Sequence, residues 1–257
     1  MPASPGGPNR LERKEAARQA RERLRRKAVR RRTYRRGAIG LVVGGLIAGI
    51  VVLSTRPKGS TLNPEEQQLL SAATQAAQTA GCDTAQTTKD YPGGNDRAHI
   101  GPGGQVTANP PLTSYPSTPP ASGPHNPTPL RAGVYSDPPD VYQAIHSLEH
   151  AAVIIWYSPD AASDPAMAAE LTKLQTFFGK SREETKVIVA PYSYPDQGTA
   201  GQLPQGKQMV LVSWHRMQTC TSISLPVAYN FVAHYRFPAP KGEKYLGVAP
   251  ETTVPIG

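Results

Sequence analysis

The chain of 257 residues carries six histidines, His99, His125, His146, His150, His215 and His234. His146 and His150 stand four apart in VYQAIHSLEH, where Val141, Ile145 and Leu148 recur at helical spacing. Residues i and i+4 share a helix face, so both imidazoles point the same way and can share one metal ion. His125 lies in Ser122-Gly123-Pro124-His125, a stiff turn of the kind that presents a third ligand. His99 is a fourth candidate. Neutral imidazoles suit one Zn or Cu ion. The competing reading makes these rings packing residues, each hydrogen-bonded to a neighbour, or a cluster that responds to pH.

His146-Ser147-Leu148-Glu149-His150 also matches the H-x-x-E-H arrangement of the inverted zinc proteases. In that reading two His bind zinc, Glu149 is the general base and Glu170 is a candidate third ligand. The match rests on three fixed residues, in a short segment entered by Pro138-Pro139 and left at once into a strand. The leading expectation is therefore a metal-binding module. A metal-assisted hydrolase is the alternative, and a non-catalytic scaffold of the cell envelope is a third reading.

The elements that must hold these residues follow from pattern. Asn63-Pro64-Glu65-Glu66 opens a helix that runs to Thr79 and stops at Gly81. Tyr91 to Pro129 holds ten prolines and supports neither a helix nor a central strand. It is expected to lie ordered against the domain, because a loop that long inside a domain is usually functional. Gly133-Val134-Tyr135, Ala152–Tyr157, Lys186–Tyr192 and Gln208–Trp214 read as strands. Asp164–Phe178 and Leu225–Tyr235 read as further helices. The expected class is α/β (α+β), one layer of helices on a small mixed sheet. The element order is that of a thioredoxin-like core, without a C-x-x-C.

Charge is distributed unevenly. Residues 1–36 hold 14 Lys/Arg and three Glu, a net of +11, whereas the remainder nets −2. The overall +9 thus belongs to a tail, which makes a nucleic-acid partner unlikely. Gly37–Ser54 follows with 18 uncharged residues. As a helix it would cover roughly 27 Å, close to the bilayer core. The expected organisation is a basic cytoplasmic tail (1–36), a transmembrane anchor (37–55), a helical stalk (56–80) and an exported domain (81–257) that includes the Pro-rich segment 91–129. The basic excess places the N-terminus in the cytoplasm and the domain outside the cell membrane. The length of the charged region argues for an uncleaved anchor over a signal peptide. The tail can bind anionic lipid. Gly40/Gly44 and Gly45/Gly49 are spaced for a partner helix or a homodimer.

Cys82 and Cys220 would then sit in an oxidising compartment, where one disulfide is the simplest arrangement. Two free thiols acting as soft metal ligands are the alternative.

PPASGPH (Pro119–His125), HSLEH (His146–His150), Gly81-Cys82 and Trp214…Cys220 together resemble an uncharacterised bacterial family of membrane-anchored exported proteins, a domain of unknown function (DUF 3105). The resemblance covers roughly Gly81 to Glu251. It places His99, His125, His146 and His150 at the family's His positions, and Cys82 and Cys220 at its Cys positions. His215, His234 and Met217 fall outside it. Ala121 stands where the family has Thr, and Ala151 where it has Gly. An alanine at 151 costs more than glycine in a left-handed stop, so the helix is expected to end differently or to run straight into the strand. The resemblance implies no activity.

Overall fold

A computed structural model describes residues 61–179 and 185–256 of the chain. The basic tail, the apolar segment Gly37–Ser54 and its glycine pairs lie outside the described residues. Among the described residues, no helix is long and apolar enough to cross a membrane.

Among the described residues, four α-helices form where the sequence supplies starts. Helix α1 (Pro64–Thr79) opens with a capping box: Asn63 Oδ1 accepts from Glu66 N–H at 3.0 Å, and Glu66 accepts from Asn63 N–H at 2.7 Å. Asp140 caps α2 (Val141–Glu149) by accepting from the Tyr142 and Gln143 N–H groups. Asp164 caps α3 (Pro165–Phe178) in the same way, through Ala166 and Met167. Helix α4 (Leu225–Tyr235) has Pro226 in its first turn, where no N–H is missed.

The strands are β1 (Gln86–Thr87), β2 (Gly133–Val134), β3 (Val153–Tyr157), β4 (Val187–Pro191), β5 (Met209–Ser213) and β6 (Arg216–Cys220). They form one mixed sheet in the order β1-β6-β5-β3-β4-β2. β2 and β3 flank β4 in parallel, with Ile155 opposite Val189. β5 runs antiparallel to β3, with Ile154 opposite Val212. β6 returns antiparallel to β5, and β1 pairs antiparallel with β6. Neither β1 nor β6 is expected from pattern. β6 is Arg-Met-Gln-Thr-Cys, a half-buried strand with little apolar alternation to betray it.

Side chains alternate between the faces of the sheet. Val153, Ile155, Val189 and Leu211 meet α3 and α4 on one face. Ile154, Trp156, Ile188 and Val212 meet α2 and the Pro-rich segment on the other. The single helical layer expected from the sequence is thus corrected to one layer on each face. Parallel strands buried on both sides need cover on both sides, which explains the continuous apolar runs of β3 and β4. Leu112, Tyr115 and Ala121 of the Pro-rich segment are fully buried in this second layer. Leu69, Leu70, Ala76 and Ala77 of α1 pack on the first, so this helix is docked on the domain. Cys82 and Cys220 form a disulfide that joins the exit of α1 to β6.

Candidate metal centre

The centre lies where α2 ends and β3 begins. Helix α2 stops at His150, and Ala151 takes a left-handed conformation (φ 64°). The Ala151 N–H donates to Leu148 O and the Ala152 N–H to Ser147 O, both at 3.0 Å. This is the hydrogen-bond pattern of a glycine stop, made here by alanine. The helix therefore ends in the turn a glycine would give, and β3 starts three residues after His150. Lys186, just before β4, sits beside the same helix end. The centre is thus at the amino ends of β3 and β4, opposite the carboxyl edge where open α/β sheets usually bind ligands.

Three rings are oriented by backbone carbonyls. His125 Nδ1 donates to Gly123 O at 2.8 Å, His146 Nδ1 to Asn126 O at 2.7 Å, and His150 Nδ1 to Pro255 O at 2.8 Å. A carbonyl can only accept, so each Nδ1 carries a proton and each ring turns its Nε2 away from that carbonyl toward the cluster. The Nε2 atoms of His146 and His150 face one another at 3.0 Å. His125 Nε2 is buried and lies 3.1 Å from Glu149 Oε2, without a well-aligned hydrogen bond. Burial pushes His146 down to about 4, so it is neutral at neutral pH.

His99 stands at the exposed side. A short parallel bridge between His99 and His125 brings its ring centroid to 5.0 Å from His125 and 5.2 Å from His146. One ligand atom from each of His99, His125, His146 and Glu149 falls within 4.8 Å of the others. Glu149, His150 and Glu251 form an adjoining set of the same kind. His99, His125 and His146 thus share one set, and His150 adjoins it through its contact with His146.

The turn that carries His125 is built for that purpose. Gly123 has φ 119°, and a Cβ there would lie 2.7 Å from the Tyr115 ring and 2.9 Å from the Tyr91 ring. Tyr115 OH donates to Pro124 O at 2.6 Å. Asp96 grips the same turn. Its backbone O accepts from Gly123 N–H, and its carboxylate accepts from the Ser122 hydroxyl and the Tyr91 N–H. Its second oxygen accepts from His215 Nε2 at 2.8 Å. His215 thus supports the turn from outside the centre. Asp90, Asp96 and His215 also approach one another, but that ring is already committed to Asp96.

Two functional residues carry no sequence signal. Arg97 pairs with Glu149 and, at 2.6 Å, with Glu251. Glu251 Oε2 lies 3.3 Å from His150 Nε2, and its N–H donates to Glu149 O. Burial alone would raise the Glu149 carboxyl, but His125 and Arg97 beside it outweigh this and hold it at about 2. The C-terminal segment that brings in Glu251 is fastened by Lys186. Its buried Nζ donates to the carbonyls of His150 (2.7 Å), Thr252 (2.9 Å) and Val254 (2.6 Å). Burial lowers this ammonium to about 8.

Other candidates lie elsewhere. Glu170 is on α3, which covers the opposite face of the sheet, and pairs with Lys173 at 2.6 Å. It is not a third ligand to His146 and His150. His234 donates from Nδ1 to Asn230 O and meets Glu243. Met217, partly buried, packs against the core on the α2 face of the sheet. The cysteines are disulfide-bonded and supply no thiolate.

Two adjoining sets of His and carboxylate ligand atoms, His99–His125–His146–Glu149 and Glu149–His150–Glu251, are arranged so that either could hold a metal ion. For Zn–N bonds of about 2.0–2.1 Å, tetrahedral geometry puts ligand atoms roughly 3.3 Å apart. The 3.0 and 3.1 Å separations are close to that value.

The chain belongs to the family described as "Protein of unknown function (DUF3105)", which matches residues 108–246, more than half of its length. His125, His146, Glu149 and His150 fall inside the matched span, whereas Arg97, His99 and Glu251 fall outside it. No curated protein and no solved structure matches the chain.

Proposed function

We propose that this protein binds one transition-metal ion, Zn or Cu, at a centre formed by His125, His146 and His150 with His99 beside them. His99, Glu149 and Glu251 complete or border the coordination sphere. The observation that carries this reading is the His146–His150 pair. With both Nδ1 protons given to carbonyls, the two Nε2 atoms face each other at 3.0 Å, an arrangement that a shared cation stabilises.

The reading favours binding over catalysis. A general base works best with a pKa near the operating pH. Glu149 is held at about 2 by Arg97 and His125, which suits a ligand or a charge partner. In this proposal the domain sits outside the cell membrane, held by the apolar segment Gly37–Ser54 with the basic tail inside on anionic lipid. The Cys82–Cys220 disulfide supports that placement, since such bonds persist in oxidising compartments. The sheet order β2-β4-β3-β5-β6, with β5 antiparallel to β3, supports a thioredoxin-like reading of the core.

The test is a cobalt titration of the full chain, followed by visible absorption. Saturation with imidazole-type spectra, lost in His146→Ala, supports the proposal. The same spectrum in wild type and His146→Ala overturns it.

A further inference from the structure

We propose that a cavity between α1, α3 and α4 is a binding site for a small organic monocarboxylate with an apolar body, anchored by Arg236. The cavity lies on the face of the sheet opposite the histidines and is independent of the metal reading. Its volume is about 250 Å³, that of roughly eight waters. Phe177, Phe178, Val187 and Val232 supply apolar walls, and Arg236 projects a cation among them.

Arg236 follows the last turn of α4, where its N–H donates to Val232 O at 3.1 Å. Its side-chain Nε is buried and has no hydrogen-bond partner. Burial lowers its pKa, and the fields of Tyr229 and Glu66 offset this only in part. A buried guanidinium nitrogen without a hydrogen-bond partner is costly, and a carboxylate matches a guanidinium's fork of donors. Glu66 does not fill that role, because it is committed to the Asn63 capping box and to Tyr229. Glu65 and Glu66 also line the cavity and repel a dianion more strongly than a monoanion, which favours a monocarboxylate over a phosphate. The apolar walls require that the rest of the ligand be hydrocarbon.

The experiment is equilibrium dialysis of the full chain in a neutral detergent, with a detergent-only blank. The probes are 3-phenylpropionate, 3-phenylpropanol and 3-phenylpropylamine, which share one apolar body. Saturable binding of the acid is expected, with the alcohol and the amine about tenfold weaker or more. Arg236→Gln should weaken the acid by a similar factor and leave the alcohol unchanged. Binding of the amine as tight as that of the acid, or no saturable binding of the acid, overturns the proposal. If Arg236→Gln does not fold, the comparison of the three probes on the wild type decides.

Discussion

His146 Nε2 and His150 Nε2 face one another at 3.0 Å, while the opposite nitrogen of each ring donates to a backbone carbonyl. The carbonyls come from distant parts of the chain, Asn126 beside the Gly-Pro-His turn and Pro255 near the C-terminus. The pair is therefore held by three segments at once, and the left-handed Ala151 fixes where its helix stops. A proton shared between the rings could also hold them together. A metal ion additionally accounts for the buried, unpartnered Nε2 of His125 next to them.

The first prediction separates ligands from neighbours. His125→Ala, His146→Ala and His150→Ala should each remove metal binding. Glu251→Gln and Arg97→Gln should weaken it by about 10- to 100-fold, the usual effect of losing an outer partner. Isothermal titration with Zn measures both. Equal effects at all five positions would contradict the assignment.

A second prediction concerns Lys186, whose Nζ joins the end of α2 to residues 252–254. Lys186→Met removes the only donor in that arrangement and leaves three carbonyls short of a partner. Stability should fall by about 1–3 kcal/mol in urea unfolding. Metal affinity should fall with it, because Glu251 and the Pro255 carbonyl lose their tether. Unchanged stability would show that the segment is held in another way.

The His215–Asp96 pair gives a pH dependence. Burial opposes ionisation of Asp96, but the bonds from His215, Tyr91 and Ser122 hold its carboxyl below the usual range. The Asp96 hydrogen bond, partly opposed by burial, raises His215 above its ordinary value. The Asp96 contribution is present above its unfolded pKa and is lost as pH falls through the lowered one. The His215 contribution is present below its unfolded pKa and is lost as pH rises through the raised one. The pair should thus stabilise most between roughly pH 4 and 6.5. His215→Asn, which tolerates the left-handed backbone at this position (φ 54°), should cost most in that window and less at pH 8. A cost independent of pH would contradict the ion pair.

The disulfide links residues 138 apart in sequence. On the chain-entropy account, replacing both cysteines by serine should cost on the order of 4–5 kcal/mol. Metal stoichiometry should persist wherever the double variant remains folded, since neither sulfur lies in the centre. Loss of metal from a folded double variant would contradict that separation of roles.

The sequence made some of this legible and hid the rest. His146 and His150 announce themselves by helical spacing, and His125 by its Gly-Pro turn, because local geometry alone aligns them. Arg97 and Glu251 are single charged residues, 52 and 102 positions from Glu149, with no periodicity to mark them. Only tertiary packing brings them together. The central strands show as apolar runs, but such a run does not say how many layers cover it, so the second layer is not legible from it. β6 is not legible either, because its pairing with β5 and β1, not its composition, makes it a strand. The left-handed Ala151 shows the converse: a locally unfavourable backbone is tolerated where packing on all sides, with no exposure, holds it.

The central claim is tested most directly by elemental analysis of the full chain, purified oxidised and without a His tag or chelator. About one Zn or Cu per chain is predicted, as expected for a single site of this donor set. It should be absent from the His125, His146 and His150 variants. A wild-type protein that holds no metal, even after reconstitution with Zn and with Cu, would contradict the account and leave the histidines as packing residues.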